Sequence, residues 1–600
     1  MTDRNFALAS LAWLALAFSL LQAAPVAAAK EPPKGAAGAA SKRAAPKGAA
    51  HFPVMEKRFE QFVRRYVHAG FAFDPAHATS SGMHAFDAKL PDYAPAAVAQ
   101  EERRIRVALT ELEQIDREQL DEMGRIDFDL YHRTIQGDLF ELTEERRWES
   151  DPGFYNVGWT LDPLISQEFA PPEARLRSIV GRLNETPRFL AQGREILNKP
   201  PRLFTEFAID EFPGAISYLE TTIPRAFAAV KNRGLWSEYE AALKGAKAAM
   251  EQHVAWMKET LLPRSDGSFV LGAERYRKKL YYDEMVDTPL DTLLSIGARE
   301  LDRLENRYRA CAAKLVPGGT VADALAKVRG NHPPKDSLVA FASRLLEQQR
   351  DFSISSGFLA MPSEERCTVR PTPEFAASRS FASLDSPGPL ETKGRKGYYN
   401  ISLPAADWDS ARTEQYLQGF SRGPLSSVSL HEAYPGHYAH YLYGRNATSL
   451  ARKTAGCGSF AEGWGLYVEE AMLDQGYGSG DPELEFGMLK WALIRACRFQ
   501  VGIRVHTKGM SLEEATQYFQ DHAGMEPVNA QREAYRAAFD PTYLIYTLGA
   551  LQIRKLRDDL KRAQGASFDL GRFHATILSQ GSLPVALLRR MLLPEEGSSL

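Results

Sequence analysis

The sequence predicts a mainly α-helical protein with a small β-sheet. Three observations point there. Apolar residues recur in steps of three and four through several long stretches. Pro- and Gly-bearing breaks separate those stretches. Runs of β-forming residues are few and short. Length and charge add bounds. The chain has 600 residues, with 73 Lys and Arg against 76 Asp and Glu, a net charge of −3. So balanced a charge argues against a nucleic-acid partner held by a strong positive field. The composition, 44% hydrophobic and 25% charged, is that of a globular protein and excludes a collagen, a coiled-coil rod and global disorder. Cys311, Cys367, Cys457 and Cys497 are widely spaced with no CxxC pair, which fits neither a disulfide scaffold nor a thiolate metal site.

Taken in order, residues 1–29 read as a signal peptide. Arg4 precedes an apolar run from Phe6 to Leu21, and Val26-Ala27-Ala28-Ala29 offers a small-residue cleavage site. The run is short for a membrane span, and no Cys near the cleavage site suggests a lipid anchor. The chain is therefore expected to be exported, to the periplasm or the exterior, with no stable membrane span after cleavage. Residues 30–50, rich in Ala, Lys, Pro and Gly, lack the large apolar side chains that folding needs and read as a linker.

Between Val98 and Trp148, Ile105, Leu109, Leu112, Ile115, Leu120, Met123, Ile126 and Leu130 form one helical stripe. Further amphipathic stretches run over Glu173–Leu197, Ser237–Thr260, Pro289–Leu315, Val321–Val328 and Leu338–Phe352. Ser237 and Glu240 have capping-box spacing and predict a helix start. Two segments read as strands: Cys367–Arg370, and residues 397–403, where Tyr398, Tyr399 and Ile401 lie between a Gly-rich turn and Pro404.

Three histidines, His431, His437 and His440, fall within ten residues. A zincin helix carries two His four apart on one face, with a Glu after the first as general base. Here His437 follows His431 by six residues, which on a regular helix lies about 240° further round. Pro435-Gly436 between them alters that geometry, because Pro crowds the carbonyl of His431 and Gly permits distorted dihedrals. A helical bulge there would return His437 to the face of His431. A hydrolytic zinc site wants a third ligand from another segment and an open position. Glu462, in Phe460-Ala461-Glu462-Gly463-Trp464, is the candidate; Glu469, on the same helical face, is either a residue orienting a ligand His or a solvated acid.

The pattern His431-Glu432-x-x-Pro435-Gly436-His437, followed by Glu462-Gly463-Trp464-x-Leu466-Tyr467-x-Glu469, resembles the bacterial domain-of-unknown-function family numbered 885. That family is grouped with the gluzincin metallopeptidases and is distantly similar to thimet oligopeptidase and angiotensin-converting enzyme. Asp74-Pro75-Ala76-His77-Ala78-Thr79 and Gly82-x-His84 extend the resemblance toward the N-terminus. The resemblance implies a helical zincin-like fold with a small sheet beside a deep active-site channel, formed by one catalytic unit over residues 51–600 with the zinc motif at 431–470. It implies one zinc ion per chain on His431, His437 and Glu462, with Glu432 as base. Downstream, His506, Glu533, Arg536, Pro541, Tyr546 and Gly549 match family positions, but Gly502 stands where the family often carries Asp.

The implied chemistry is hydrolysis of peptide bonds, most simply in short peptides. His506 and Tyr546 are candidate oxyanion donors, with Tyr543 the alternative to Tyr546. Arg536 either anchors a substrate carboxylate or pairs with Glu533. Tyr399, with Tyr398 and Asn400, is a candidate edge strand for substrate. Two other readings remain at this level: hydrolysis of non-peptide amides, and an inactive zincin fold that binds a partner. Oligomeric state leaves no trace in the sequence.

Overall fold

A computed structural model describes residues 53–372, 381–405, 408–593 and 597–600; the expected signal peptide and linker lie outside the described residues. Among the described residues the fold is mainly helical, with one three-stranded sheet. Among the described residues no helix is long and apolar enough to cross a membrane.

The stripe from Val98 to Trp148 becomes two long helices, α1 (Pro95–Glu113) and α2 (Glu122–Phe140). Asp121 caps the second by accepting from the Gly124 amide at 2.6 Å. The predicted stretches further on become α3 (Pro172–Ile196), α4 (Arg233–Trp256), α5 (Leu290–Leu315) and α6 (Leu338–Ser355). The start of α4 differs from expectation. It begins before Ser237, at Asn232, whose side chain accepts from the Leu235 amide at 3.1 Å. An Asn cap satisfies the same orphan amides as Ser, so the Ser237-Glu240 spacing falls inside the helix and carries no cap.

The two predicted strands are β1 (Thr368–Pro371) and β3 (Tyr398–Ile401). Between them in sequence lies β2 (Ala382–Asp385), too short and too polar to stand out. The sheet order is β1-β3-β2, with β1 parallel and β2 antiparallel to β3. Tyr399 thus pairs with Val369 on one side and Leu384 on the other. This corrects the expectation that the Tyr399 segment is an edge: both sides of β3 are used, so no substrate strand can add to it.

The chemistry-bearing region consists of α7 (Arg422–Glu432), α8 (His437–Gly444), α9 (Gly458–Asp474), α10 (Pro482–Thr507), α11 (Pro527–Phe539) and α12 (Ile545–Gln564). One apolar core runs from Phe59 through the sheet and Trp464 to Leu593, tying distant parts of the chain to these helices. A second core, from Leu90 to Leu261, is built on α3 and α4.

α9 and α12 pack unusually close. A methyl group built on Gly549 would lie 1.6 Å from the Ser459 carbonyl oxygen, and one on Gly463 would lie 2.4 Å from the Gly549 Cα. Only hydrogen fits at either contact, which explains why Gly stands at both 463 and 549. Gly549→Ala is expected to force the two helices apart and lower stability by about 1–3 kcal/mol, seen as a lower thermal-unfolding temperature. An unchanged unfolding temperature would mean that the helices do not approach this closely.

Candidate metal centre

The helix carrying His431 ends at Glu432, and a new one starts at His437. Residues 433–436 are non-helical, with a cis peptide bond between Tyr434 and Pro435. The expected bulge within a continuous helix is therefore a full break. The break does what the bulge was expected to do: the His431 and His437 rings meet edge-on, with centroids 4.6 Å apart. Gly436 permits the turn, since a methyl group there would lie 1.9 Å from the His431 carbonyl oxygen. The Trp464 indole donates to the Pro435 carbonyl at 2.9 Å and fastens the break to α9. His440 faces elsewhere, its Nε2 lying 3.2 Å from the Gly581 carbonyl oxygen.

α9 brings Glu462 to both rings. Its Oε2 lies 3.2 Å from His431 Nε2 and 3.6 Å from His437 Nε2. His431, His437 and Glu462 each offer a ligand atom, and all three atoms lie within 4.8 Å of one another. Gly465, one turn on, gives His431 room, because a methyl group there would lie 2.5 Å from the ring.

Glu469 is buried, not a solvated acid. It accepts from the Ser427 hydroxyl, from His431 Nδ1 at 2.8 Å and from Arg495 Nη1 at 3.2 Å. Engaging Nδ1 leaves Nε2 of His431 directed at Glu462 and His437. Arg495, from α10, is a residue that the sequence reading left without a role. Its signal was available: a cation within an otherwise apolar stretch of helix needs an internal partner. Glu470, next in sequence, faces the opposite way and pairs with Arg303, Arg307 and Arg554.

The electrostatics follow from these contacts. Burial and Arg495 oppose charge on His431, but hydrogen bonds to Glu462 and Glu469 prevail and raise it to about 9. Burial would lift the Glu462 carboxyl, yet its hydrogen bonds to His431 and His437 and their charges hold it well below the usual carboxylate range. Two carboxylates flanking an imidazole thus favour positive charge among them, whether a proton or a cation supplies it. Two imidazoles and one carboxylate are a donor set that suits zinc and leaves a fourth position open. Burial pushes the Glu432 carboxyl up, with Glu462 adding to the effect against the pull of His437, His431 and Arg495. A raised carboxylate is a better proton acceptor.

Tyr546 stands at this cluster, its ring centroid 6.3 Å from that of His431. Burial and Glu462 raise its phenol, so it stays a protonated donor. Its oxygen accepts from Arg536 Nη2 at 3.2 Å. Tyr543 is fully buried and its hydroxyl is committed to Glu533. Glu533 is itself gripped by Arg498 through two hydrogen bonds of 2.8 and 2.9 Å, so it is Arg498, not Arg536, that pairs with it.

His506 does not join the cluster. It is fully buried, with Nε2 2.8 Å from the Ala537 carbonyl oxygen and its ring against Tyr276 and Phe269. It lies three turns along α10 from Arg495, about 16 Å of helix rise. Burial lowers its basicity. The expectation of His506 as an oxyanion donor is corrected on this distance. Beside it, a side chain at Gly502 would point toward the Tyr276 hydroxyl, buried without a hydrogen-bond partner among the described residues. Tyr399 reaches α7 rather than the cluster, its hydroxyl 3.1 Å from Ser429 Oγ.

A family model described as "Bacterial protein of unknown function (DUF885)" matches residues 75–592. The chain belongs to the DUF885 family. The match spans the metal cluster and most of the described residues. Two solved structures share the family chain's architecture. One is a candidate lipoprotein of unknown function from Shewanella oneidensis, 26% identical, with a TM-score of 0.76, covering 89% of this chain and 99% of that one. The other is a candidate lipoprotein from Colwellia psychrerythraea, 18% identical, with a TM-score of 0.74 over 90% of this chain and 98% of its own; at that identity it speaks for the fold alone. No curated protein matches.

Removing Glu469 would strand a buried guanidinium and an imidazole N–H. Glu469→Ala is expected to cost about 3–5 kcal/mol of stability, and Glu469→Gln less, because the amide oxygen still accepts. Thermal unfolding of the two variants beside the wild type checks the order.

Proposed function

We propose that this protein is a zinc-dependent peptidase. The observation that carries the reading is the convergence of His431, His437 and Glu462, with Glu432 adjoining and Tyr546 above. That is the donor set and the acid–base equipment of a water-activating metallohydrolase. The resemblance of the motif to gluzincins supports the same class, including a channel that admits short peptides. When bound at these three residues, zinc would supply Lewis acidity, polarising the scissile carbonyl and acidifying water.

The chain's own groups account for the rest. Glu432 takes a proton from the attacking water and returns it to the leaving amine. The Tyr546 phenol donates to the oxygen that gains negative charge as water adds to the carbonyl carbon. Glu469 holds the His431 ring in one tautomer and orientation, with Nε2 toward the cluster. Arg495 balances the charge of Glu469.

An exported location, periplasmic or extracellular, fits this reading. It rests on the leader at residues 1–29 and on the description of the Shewanella oneidensis relative as a candidate lipoprotein.

Metal analysis of the purified protein is expected to give one zinc per chain, and Glu462→Ala to lose it. Glu469→Ala should weaken zinc binding about 10–100-fold in a chelator competition. Glu432→Gln should keep the metal and lose about 10²–10⁴-fold in kcat, and Tyr546→Phe about 10²–10³-fold. Both are read by mass spectrometry of a mixed peptide library. Full activity in Glu432→Gln, or wild-type protein without metal, would sink the reading.

A further inference from the structure

Beside the cluster sits a cation whose charge the protein does not balance closely. Arg536 projects from α11 toward Tyr546 and keeps 22% of its side chain exposed. Its nearest carboxylate among the described residues is Asp540, one turn away at 4.0 Å, too far for a hydrogen bond. The neighbouring Arg498 shows the contrast: it grips Glu533 through both carboxylate oxygens, and Tyr543 binds the same carboxylate. Arg536 has only a phenol at 3.2 Å and the faces of two rings, Tyr543 at 5.0 Å and Tyr546 at 6.0 Å. A guanidinium presents five N–H donors in a planar fork that matches a carboxylate. One that is mostly enclosed and keeps its fork free of carboxylate is built to receive an anion.

Its position says which anion. The ring separations place the guanidinium carbon within about 12 Å of the His431 ring. Hydrogen-bonding contacts at each end take about 3 Å apiece. What remains accommodates at most about two residues of extended peptide, at about 3.4 Å each. A carboxylate that lies there while a carbonyl carbon sits at the metal cluster comes from within about two residues of the scissile bond, as the free C-terminus of a short substrate does.

We infer that Arg536 holds the free C-terminal carboxylate of the substrate, so that the protein removes one or two residues from the carboxyl end of a peptide. This rests on the peptidase reading and specifies its cleavage mode. In the reaction one water is consumed. Its oxygen bonds to the acyl carbon, the C–N bond breaks, and one proton passes through Glu432 to the leaving amine. The released amino acid or dipeptide carries the carboxylate that Arg536 holds. No oxidant or further reactant enters.

The test separates carboxylate recognition from hydrolysis. Alanyl-alanine and its C-terminal amide are titrated by calorimetry into the metal-free full chain, wild type and Arg536→Gln. The acid is expected to bind at least about tenfold tighter than the amide, and Arg536→Gln to abolish that difference. Equal affinities in the wild type, or no measurable binding of either, would overturn the inference. So would an Arg536→Gln protein that loses both ligands in parallel, the pattern of a residue that only supports Tyr546. Should Arg536→Gln fail to fold by circular dichroism, Arg536→Lys replaces it, with a partial loss of preference expected and full preference overturning the inference. On zinc-loaded protein, acetylated tetra-alanine acid and amide form the second arm. Equal cleavage of both sinks the carboxylate anchor and leaves the peptidase reading standing. No cleavage of either, with the acid preference intact, sinks the peptidase reading instead.

Discussion

A charge buried away from water must find its counter-charges inside the protein, and this requirement organises the whole site. Glu469 is buried on α9, and its partners come from elsewhere: Ser427 and His431 from α7, Arg495 from α10. One carboxylate thus binds three helices together, and in doing so it fixes the tautomer of a candidate metal ligand. The pair to be oriented and the pair that stabilises the packing are the same atoms. A change that loosens the packing therefore also turns His431, and stability and chemistry cannot vary independently there.

Around that knot the backbone must come closer than side chains permit. Gly465 leaves room for the His431 ring, and Gly463 and Gly549 bring α9 and α12 into contact. The second approach sets Tyr546 over His431 and, through its phenol, positions Arg536. Removing side chains here costs helix propensity, about 1 kcal/mol per Gly relative to Ala. The cost is offset by the apolar core running past Trp464 and by the buried ion pairs. The outer charge network, Glu470 with Arg303, Arg307 and Arg554, stiffens the other face of the same helix.

Much of this was legible in the chain. Helical periodicity located α1 to α6 because amphipathic helices leave a 3.6-residue signature that needs no tertiary information. The strand at Tyr398–Ile401 was marked by its β-formers, whereas Ala382–Asp385 was not, because pairing with β3 rather than its own residues makes it a strand. Asn232 displaced Ser237 as a cap because several positions can satisfy the same amides, and the core decides where a helix starts. His506 matched a family position but lies three turns from Arg495 along one helix. Sequence likeness gives no distance, and the rise of a helix does.

By itself the sequence determined the helical class, the balanced charge, and the candidate residues His431, Glu432, His437 and Glu462, which follow from local spacing and side-chain type. Tyr546 came from the family resemblance, with Tyr543 as its alternative. Only the tertiary structure decided which of them meet. It broke the helix at residues 433–436 so that a six-residue spacing closes on one point. It assigned Glu469 to His431 and gave Glu533 to Arg498, leaving Arg536 turned toward Tyr546. Those choices depend on the approach of helices far apart in the chain. Close packing and the pairing of buried charge fix that approach, and neither has a signature in any single segment.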